Sequence, residues 1–318
     1  MSYRESLTRM KSAFSTEKIA ILLACRNGET FIGEQIKSLL LQSEENWELY
    51  IHDDGSTDPT CPICEQFVKE FPEKIHMIEG DPTGSAKNNF LYLLRKVRAP
   101  YYMFCDQDDY WREHKISRTF QEMKEAEEND KPVLVFSDLE VVDEGLQTIE
   151  PSMNQSQGLN PDRTSFHELM VQNCITGCTV MINDALADYM RTPCDTDNMI
   201  MHDWWAGLIA AYYGKIKYLP TAMILYRQHD KNTFGAYKPG SFSYLKAKIF
   251  QKNEIHDSLK ATQDQVAEFL KTFGVQDAEL KTYSQLYQLP KRKRLAFYRK
   301  HSIHMQGLLR NIGLFFFG

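Results

Sequence analysis

The sequence predicts an α/β protein built around a mostly parallel sheet. Between residues 19 and 138, short apolar runs suited to buried strands alternate with segments whose apolar residues recur at helical spacing. Two of these runs end in clustered acids, at the position where open α/β sheets bind ligands. Alternation of this kind favours a sheet with helices on both faces.

The first two predicted strands flank a helix. Residues 19–25 form an unbroken apolar run, typical of a parallel strand that is buried on both faces. Residues 31–41 carry apolar side chains at helical spacing, and residues 47–52 alternate as a strand does. A polar turn at residues 53–56 ends this strand, and residues 56–58 offer caps for a helix that extends to Val68.

The alternation continues to residue 138 and then loosens. Further strands or extended segments are predicted over residues 75–78, 101–105, 133–136, 178–182, 216–219 and 223–226. Further helices are predicted over residues 1–17, 85–97, 115–129, 166–171, 184–190 and 202–213, and from residue 243 onward. We therefore divide the chain into a sheet domain, residues 1–240, and a helical C-terminal extension, residues 241–318.

Composition fits one large globular domain with an extension. The chain has 318 residues, of which 42% are hydrophobic, and a net charge of -6, which does not point to nucleic acid. Residues 1–17 do not form a basic-then-apolar leader, and no apolar stretch is long enough to span a bilayer, so we expect a cytosolic chain with reduced thiols. Cys61 and Cys64 form a C-x-x-C pair without a second pair at zinc-ribbon spacing, which favours two incidental thiols.

The most informative segment is residues 101–109, an aromatic, apolar run that ends in acids. Asp106, Asp108 and Asp109 would repel one another unless a cation lies among them. Alternate residues of a strand share a face, so Asp106 and Asp108 can point the same way. Their oxygens suit Mg²⁺ or Mn²⁺, which typically hold a substrate diphosphate. The alternative is a solvated acidic loop that follows a core strand.

Other polar turns are predicted along the same edge of the sheet. Asp53 and Asp54 follow the second strand, and residues 25–29 form the turn after the first. The chain has neither the G-x-G-x-x-G of dinucleotide-binding folds nor the G-x-x-x-x-G-K-[ST] of a P-loop. A metal, rather than a loop of backbone amides, would therefore meet the charge of a nucleotide diphosphate.

Three blocks of sequence support a more specific interpretation. They read Ile-Leu-Leu-Ala-Cys-Arg-Asn-Gly-Glu at residues 21–29, Tyr-Ile-His-Asp-Asp-Gly-Ser-Thr-Asp at 50–58 and Phe-Cys-Asp-Gln-Asp-Asp-Tyr-Trp at 104–111. In content, order and spacing they resemble family 2 glycosyltransferases of the GT-A fold, and the resemblance covers residues 18–240. Relatives more often carry Thr-Tyr where this chain has Cys25 and Arg26.

Within that family, the chain is most similar to bacterial rhamnosyltransferases of cell-wall, capsule or O-antigen polysaccharide. The similarity rests on the Asp-Gln-Asp-Asp-x-Trp form at residues 106–111 and on His-Asp-Trp-Trp at residues 202–205. It implies a dTDP-L-rhamnose donor, with UDP-hexose or UDP-N-acetylhexosamine as alternatives. It also implies a saccharide acceptor of a growing or lipid-linked polysaccharide.

The resemblance implies a nucleotide-sugar site at the edge of the sheet. Its residues would be Cys25, Arg26, Asn27, Glu29, Asp53, Asp54, Asp81, Lys87, Asp106 and Gln107. Asp53 or Asp54 would bind the base or the ribose, and Asp81 and Lys87 belong to a segment that closes over the nucleotide. Lys87 would neutralise a phosphate, with a solvated helix lysine as the alternative.

The same resemblance implies a metal site for Mn²⁺ or Mg²⁺. Asp108 would ligate the ion, and Asp109 would support its ligands from behind. His229 would join it, and an imidazole suits Mn²⁺ better than Mg²⁺. For His229 the alternative is an ordinary surface histidine.

Asp203 is the implied catalytic base. It would take a proton from an acceptor hydroxyl in a single in-line displacement, which inverts the anomeric centre. A carboxylate that opens an apolar helix has an alternative role as its N-cap. Thr176, Gly177 and Trp204 are the implied acceptor contacts.

From Leu280 onward the sequence contains no acid. Its basic residues are Lys281, Lys291, Arg292, Lys293, Arg294, Arg299, Lys300 and Arg310, and apolar residues lie between them. This segregation predicts an amphipathic segment that binds anionic lipid at the cytoplasmic face of the plasma membrane, where a lipid-linked acceptor would lie. The alternatives are packing on the sheet domain and packing on a second subunit of a homo-oligomer.

Two rival functions are weighed against transfer. A nucleotidyltransferase usually has a glycine-rich, arginine-containing N-terminal loop with a lysine, which residues 25–29 do not resemble. A non-catalytic partner in a polysaccharide assembly complex would have no need for Asp106, Asp108 and Asp203. A nucleic-acid role lacks a basic stripe in the sheet domain.

Overall fold

A nine-stranded sheet forms the centre of the computed structural model, which describes residues 17–128, 130–229 and 252–317. Its strands are β1 (Ile19–Cys25), β2 (Trp47–Asp53), β3 (Ile75–Met77), β4 (Tyr101–Asp106), β5 (Tyr110–Trp111), β6 (Val133–Val142), β7 (Thr148–Glu150), β8 (Met181–Asn183) and β9 (Lys215–Arg227). The predicted helix over residues 1–17 lies outside the described residues, apart from Glu17, and so do residues 243–251 of the predicted extension.

Helices cover the sheet and form the described part of the extension. They are α1 (Ile32–Leu40), α2 (Thr60–Glu70), α3 (Ala86–Lys96), α4 (Lys115–Ala126), α5 (Met153–Gln157), α6 (Phe166–Leu169), α7 (Asp184–Arg191), α8 (His202–Tyr213), α9 (Lys252–Phe273), α10 (Ala278–Tyr283), α11 (Lys291–Lys300) and α12 (Leu308–Phe317). None of the helices in the described ranges combines the length and apolar character that crossing a bilayer requires.

The sheet confirms the predicted α/β class. Its strand order is β3-β2-β1-β4-β8-β6-β9-β5, with β7 paired to β6. The first four strands are parallel, and so are β6 and β9. The short strand β8 runs antiparallel to both β4 and β6, and it joins the two parallel parts.

Pairing brings the predicted polar turns to one edge. Cys25 pairs with Asp53, and Ala24 pairs with Asp106, so β1, β2 and β4 end at the same level. Parallel strands that are buried on both faces read as continuous apolar runs, and the residues of β1 are almost all fully buried. The two predicted strands over 216–219 and 223–226 are instead one strand, β9, whose pairing shifts between Leu219 and Ala222.

The two faces of β1 pack into separate hydrophobic clusters. Ala20 and Leu22 face α3, α7 and α8, while Ile19, Ile21 and Leu23 face α1 and α4. Described parts of the extension join the first cluster. Its contacts include the Trp205 and Phe269 rings, whose centroids are 5.8 Å apart, so α9 packs directly on α8.

Candidate active site

A cleft of about 360 Å³ opens at the carboxyl ends of β1, β2 and β4. Of the residues predicted from sequence, it is lined by Cys25, Arg26, Asp54, Asp106, Gln107, Asp108, Thr176, Gly177 and Asp203. Most of the remaining wall consists of Ser85, Ala86, Asn89, Phe90, Met201, His202 and Tyr226. Side chains from distant parts of the sequence therefore meet in one cavity.

The turns after β1 and β4 clamp one another at the cleft floor. The Arg26 N–H donates to Gln107 Oε1 (2.9 Å), and Gln107 Nε2 donates to the Arg26 carbonyl (3.0 Å). Gly28 lies against the same carboxamide, which a Cβ at that position would overlap. Gln107 thus fixes the geometry of the first turn, whatever else it binds.

Hydrogen bonds connect the turn after β2 to the turn after β1. Asp53 accepts hydrogen bonds from the N–H groups of Gly55 (3.0 Å) and Ser56 (2.7 Å). Asn27 donates its N–H to Ser56 Oγ (2.8 Å) and accepts from Thr57 N–H (2.8 Å). Asp53 and Asn27 therefore hold the shape of this rim, and they do not line the main cleft.

Glu29 also takes part in the hydrogen bonds between these two turns. Glu29 donates its N–H to Asp58 Oδ2 (3.1 Å), and its side chain is not part of the main cleft lining. The Glu29 backbone therefore adds a hydrogen bond between the two turns. Cys61 and Cys64, the pair predicted to be incidental thiols, lie in α2 as free cysteines.

Asp54 ties the next segment to the sheet. Only 4% of Asp54 is exposed, and its carboxylate accepts from Thr83 Oγ1 (2.8 Å), Thr83 N–H and Gly84 N–H (3.1 Å). Gly84 has a φ of +83°, a conformation that glycine adopts without strain. These bonds set where α3 begins, so they place Ser85 and Ala86 in the cleft wall.

Asp81 and Lys87 lie outside the cleft lining. Asp81 is exposed, and Lys87 Nζ donates to the carbonyls of Thr196 and Met199. Burial lowers the pKa of Lys87, and the acids Asp195 and Asp197 oppose that effect. Lys87 thus joins α3 to the segment that precedes α8.

Acids crowd the centre of the cleft. Loss of water around the Asp106 carboxyl, together with the charges of Asp108 and Asp203, raises the pKa of Asp106 to about 7. Asp109 is fully buried, and neither of its carboxylate oxygens has a hydrogen-bond partner among the described residues. Burial and the neighbouring Asp108 and Asp106 raise the pKa of Asp109 well above its usual value.

Asp108 and His229 meet at the rim of the cleft. Asp108 Oδ2 lies 2.9 Å from His229 Nε2, and the two side chains are 18% and 10% exposed. Both line a second opening of about 330 Å³, which shares Arg26, Gln107 and Asp108 with the main cleft. The two predicted metal ligands therefore lie together, although one precedes the other by 121 positions.

Arg227 positions this pair, a role that the sequence analysis did not assign. It is 1% exposed, and its Nε donates to the Asp108 carbonyl (3.1 Å). Its guanidinium also pairs with Glu34 and lies 4.4 Å from the centre of the Phe31 ring. An arginine directly after the apolar run at residues 222–226, two residues before a candidate ligand, is the signal that could have identified it.

The chemistry of these side chains fits a divalent cation. Carboxylates that share a site with little water accumulate unfavourable charge, which the raised pKa of Asp106 reflects. Ligand atoms of Asp106, Asp109 and Cys178 also lie within 4.8 Å of one another. Oxygen ligands suit Mg²⁺ or Mn²⁺, and the nearby imidazole favours Mn²⁺.

Asp203 lines the same cleft, in the first turn of α8. The helix N-cap is Met201, so the alternative role of Asp203 as N-cap is wrong. Asp203 is 8% exposed and accepts a hydrogen bond from Trp204 N–H (2.7 Å). Burial raises its pKa to about 6, although backbone hydrogen bonds partly oppose the shift.

The predicted acceptor contacts divide between the cleft and the scaffold. Thr176 and Gly177 line the cleft, where Gly177 starts a single 3₁₀ turn, Gly177–Thr179. Trp204 lies outside the lining, and its indole N–H donates to the Leu169 carbonyl. Trp204 thus ties α8 to α6 in this structure.

The fold is that of the GT-A glycosyltransferases, and an acidic cleft opens at one edge of its sheet. Residues 20–190 match the family model described as "Glycosyl transferase family 2". That match covers more than half of the chain, which therefore belongs to glycosyl transferase family 2.

Two bacterial relatives with described roles are similar to most of the chain. The dTDP-rhamnosyl transferase RfbG of Shigella flexneri is 29% identical over 226 residues, which cover 67% of this chain and 74% of the relative. The putative teichuronic acid biosynthesis glycosyltransferase TuaG of Bacillus subtilis is 24% identical over 232 residues, which cover 71% and 86%.

Solved structures share the fold at low sequence identity. The S. aureus TarS structure 1–349 in complex with UDP-GlcNAc aligns with a TM-score of 0.55 at 13% identity, over 89% of this chain and 73% of that one. The mannosyltransferase PcManGT from Pyrobaculum calidifontis, in complex with GDP-Man and Mn²⁺, aligns with a TM-score of 0.52 at 12% identity, over 94% and 78%. At these identities the likeness concerns the fold alone.

Proposed function

We propose that this enzyme transfers one sugar from a nucleotide-sugar donor to a saccharide acceptor and inverts the anomeric centre. The observation that carries the proposal is the meeting of Asp106, Asp108 and Asp203 in one cleft. Asp106 and Asp108 can hold a cation and a diphosphate, and Asp203 remains to accept a proton. A non-catalytic partner would not need this arrangement.

In the proposed reaction, Asp203 takes the proton of an acceptor hydroxyl as that oxygen attacks the anomeric carbon. The bond between that carbon and the diphosphate oxygen breaks, and the nucleoside diphosphate leaves with the electron pair. No enzyme nucleophile takes part, so one displacement gives inversion. The raised pKa of Asp203, about 6, makes it a stronger base than an exposed aspartate while it stays ionised near neutral pH.

Asp108 and His229 are the proposed ligands of Mn²⁺ or Mg²⁺, and Asp106 lies beside them. When bound, the ion would offset the negative charge of the diphosphate. Arg227 would keep the Asp108 backbone in place through its carbonyl. Asp109 would support the ligands from the buried side of the cluster.

The proposed donor is dTDP-L-rhamnose. The dTDP-rhamnosyl transferase of S. flexneri supports this choice, at 29% identity over 67% of the chain. A UDP-hexose or UDP-N-acetylhexosamine is the second candidate. The proposed acceptor is a growing cell-surface polysaccharide, as the name of the teichuronic acid relative also suggests.

A thermal-shift screen tests donor choice. The chain is melted with dTDP-L-rhamnose, UDP-sugars and GDP-sugars, each with Mn²⁺, Mg²⁺ or EDTA. We expect dTDP-L-rhamnose with a divalent cation to raise the melting temperature most, because binding to the folded state alone stabilises it. A larger shift with a UDP-sugar would replace the rhamnose proposal, and no shift with any sugar nucleotide would favour the non-catalytic alternative.

We also propose that the enzyme works in the cytoplasm at the inner face of the plasma membrane, on a lipid-linked acceptor. The supporting surface, here called the C-terminal surface, consists of exposed residues on α11 and α12. Lys291, Arg292 and Lys293 are exposed on α11. Leu308, Ile312, Phe315 and Phe316 are 76%, 43%, 53% and 59% exposed on α12.

The C-terminal surface combines the two features of an interfacial membrane site. The four apolar residues of α12 recur at helical spacing, so they form one face, while Leu314 is 5% exposed and packs in the core. Lys291 Nζ donates to the Phe316 carbonyl (2.8 Å), which places basic charge beside the aromatic rings. Aromatic residues next to lysine and arginine suit the boundary of an anionic bilayer.

Vesicle co-sedimentation tests this surface. The chain is mixed with phosphatidylcholine vesicles that contain or lack phosphatidylglycerol, and binding is expected only to the anionic vesicles. The pair Phe315→Glu and Phe316→Glu should abolish binding, whereas the control pair Leu41→Glu and Phe71→Glu, at exposed apolar sites elsewhere, should not. Unchanged binding by the first pair would reject the membrane site, and a loss of dimer in ultracentrifugation would favour a second subunit.

A further inference from the structure

His202 is a buried polar side chain in the cleft wall that the mechanism above does not use. It is 2% exposed, and neither Nδ1 nor Nε2 has a hydrogen-bond partner among the described residues. Leaving a buried donor or acceptor unpaired costs about 1–3 kcal/mol. Such a group in a folded protein therefore calls for a ligand, a water or a function that explains it.

Two phenylalanines fix the orientation of the imidazole. Its centre lies 4.3 Å from that of Phe90 and 4.7 Å from that of Phe104. These rings supply packing but no strong hydrogen-bonding group. Burial also lowers the pKa of His202 to about 3, so the ring is neutral near pH 7. A neutral imidazole offers one donor and one acceptor, which suits a hydroxyl better than a phosphate.

Gly177 packs closely against the edge of the ring. A Cβ built on Gly177 would lie 3.0 Å from His202 Nε2 and 3.6 Å from Asp203 Cβ. Its φ is not positive, so the backbone itself does not require glycine. Gly177 also lines the cleft, and its missing side chain avoids an overlap with the Nε2 edge beside Asp203.

The position of His202 also indicates which substrate it meets. Phe104 lies on β4 two residues before Asp106, so the ring packs against the strand that ends in the proposed diphosphate site. Asp203 follows His202 directly and faces the acceptor in the proposed reaction. His202 thus contacts the strand that leads to the proposed diphosphate site and directly precedes the proposed base, so the transferred sugar would be bound near it.

We propose that His202 is a donor-specificity residue, whose imidazole hydrogen-bonds a ring hydroxyl of the sugar that is transferred. This role rests on the proposed function and adds to it a residue that recognises the sugar rather than the nucleotide. A site built to bond a hydroxyl discriminates strongly against analogues that lack it, because its own polar group would be left unpaired.

Calorimetry with matched ligands tests this role. The wild-type chain, His202→Phe and His202→Gln are each titrated with the best sugar nucleotide of the thermal screen and with the corresponding free nucleoside diphosphate. We expect His202→Phe to weaken sugar-nucleotide binding about tenfold and to leave the nucleoside diphosphate unchanged. His202→Gln, which keeps a donor and an acceptor, should retain part of the affinity.

Gly177→Ala provides a second variant that keeps the histidine. Its new methyl group would crowd Nε2, so the same selective loss for the sugar nucleotide is expected. If His202→Phe does not fold, Gly177→Ala tests the role of His202 in its place. Equal losses for both ligands, no loss for either, or an effect confined to the acceptor KM would each overturn the donor-sugar role.

The controls separate this inference from the proposed function. Sugar-nucleotide binding by the wild-type chain tests the proposed function by itself. The difference between the variants and the wild type tests His202. A wild-type chain that binds sugar nucleotides, with variants that bind them equally well, would leave transfer standing and remove the role of His202.

Discussion

The polar groups on the two walls of the cleft differ in their hydrogen bonding. On the donor wall, the turns after β1 and β2 and the Asp54 carboxylate bond to one another and to neighbouring loops. On the base wall, formed by residues 176–177 and 201–203, His202 has no partner among the described residues, and Asp203 accepts from a backbone N–H. The difference suggests that the donor wall is shaped by its polar residues, whereas the base wall keeps polar atoms for the substrates.

The largest expected effect is at Asp203. Asp203→Asn should lower kcat by about a hundredfold or more, because an amide cannot accept the acceptor proton. Donor binding should persist, since the side chain is nearly isosteric. Single-turnover transfer and calorimetry with the donor measure the two properties separately. Full transfer activity in this variant would remove the base from the proposal.

The next effect is structural and lies on the donor wall. Asp54→Ala should lower the free energy of unfolding by about 2 kcal/mol, because it leaves donors of Thr83 and Gly84 without their partner. Urea denaturation measures the change. Asp81→Ala, at an exposed site in the same segment, is the matched control and should have little effect. Equal losses in both variants would show that Asp54 does not hold this rim.

The pH dependence of transfer should follow the base. Burial raises the pKa of Asp203 to about 6, and the residue acts only when ionised. Activity at limiting donor and acceptor should therefore fall about tenfold per pH unit below that value and level off above it. A profile that stays flat from pH 5 to pH 8, with the protein still folded, would argue against Asp203 as the base.

The smallest expected effect concerns Lys87. Its ammonium donates to carbonyls of the segment that precedes α8, so Lys87→Ala should cost about 1 kcal/mol of stability. Nucleoside diphosphate affinity should stay within about twofold, because the side chain does not line the cleft. A tenfold loss of that affinity with stability unchanged would restore the phosphate role that the sequence resemblance implied.

Sequence patterns were most informative where the chain is regular. Continuous apolar runs predicted β1 and β4, because parallel strands buried on both faces must be apolar throughout. Strand polarity then placed Cys25, Asp53 and Asp106 at one edge without knowledge of the tertiary fold. The antiparallel strand β8 has three residues, too few for a period to identify its pairing.

The sequence did not predict the direction in which each side chain points. Asp53 and Asp54 are adjacent acids, yet one caps its own turn and the other holds residues 83–84. Arg227 and His202 act through neighbours more than 90 positions away, so no local pattern could reveal their contacts. Motifs therefore located the site, while packing decided which of its residues face the cleft.

Product stereochemistry tests the central claim most directly. The sugar nucleotide chosen by the thermal screen is transferred to an acceptor, and the anomeric configuration of the new linkage is read by proton NMR before any secondary reaction. One displacement with Asp203 as base predicts inversion, so a β-linked donor should give an α-linked product. Retention of configuration would contradict the account, because a single in-line displacement at the anomeric carbon inverts it.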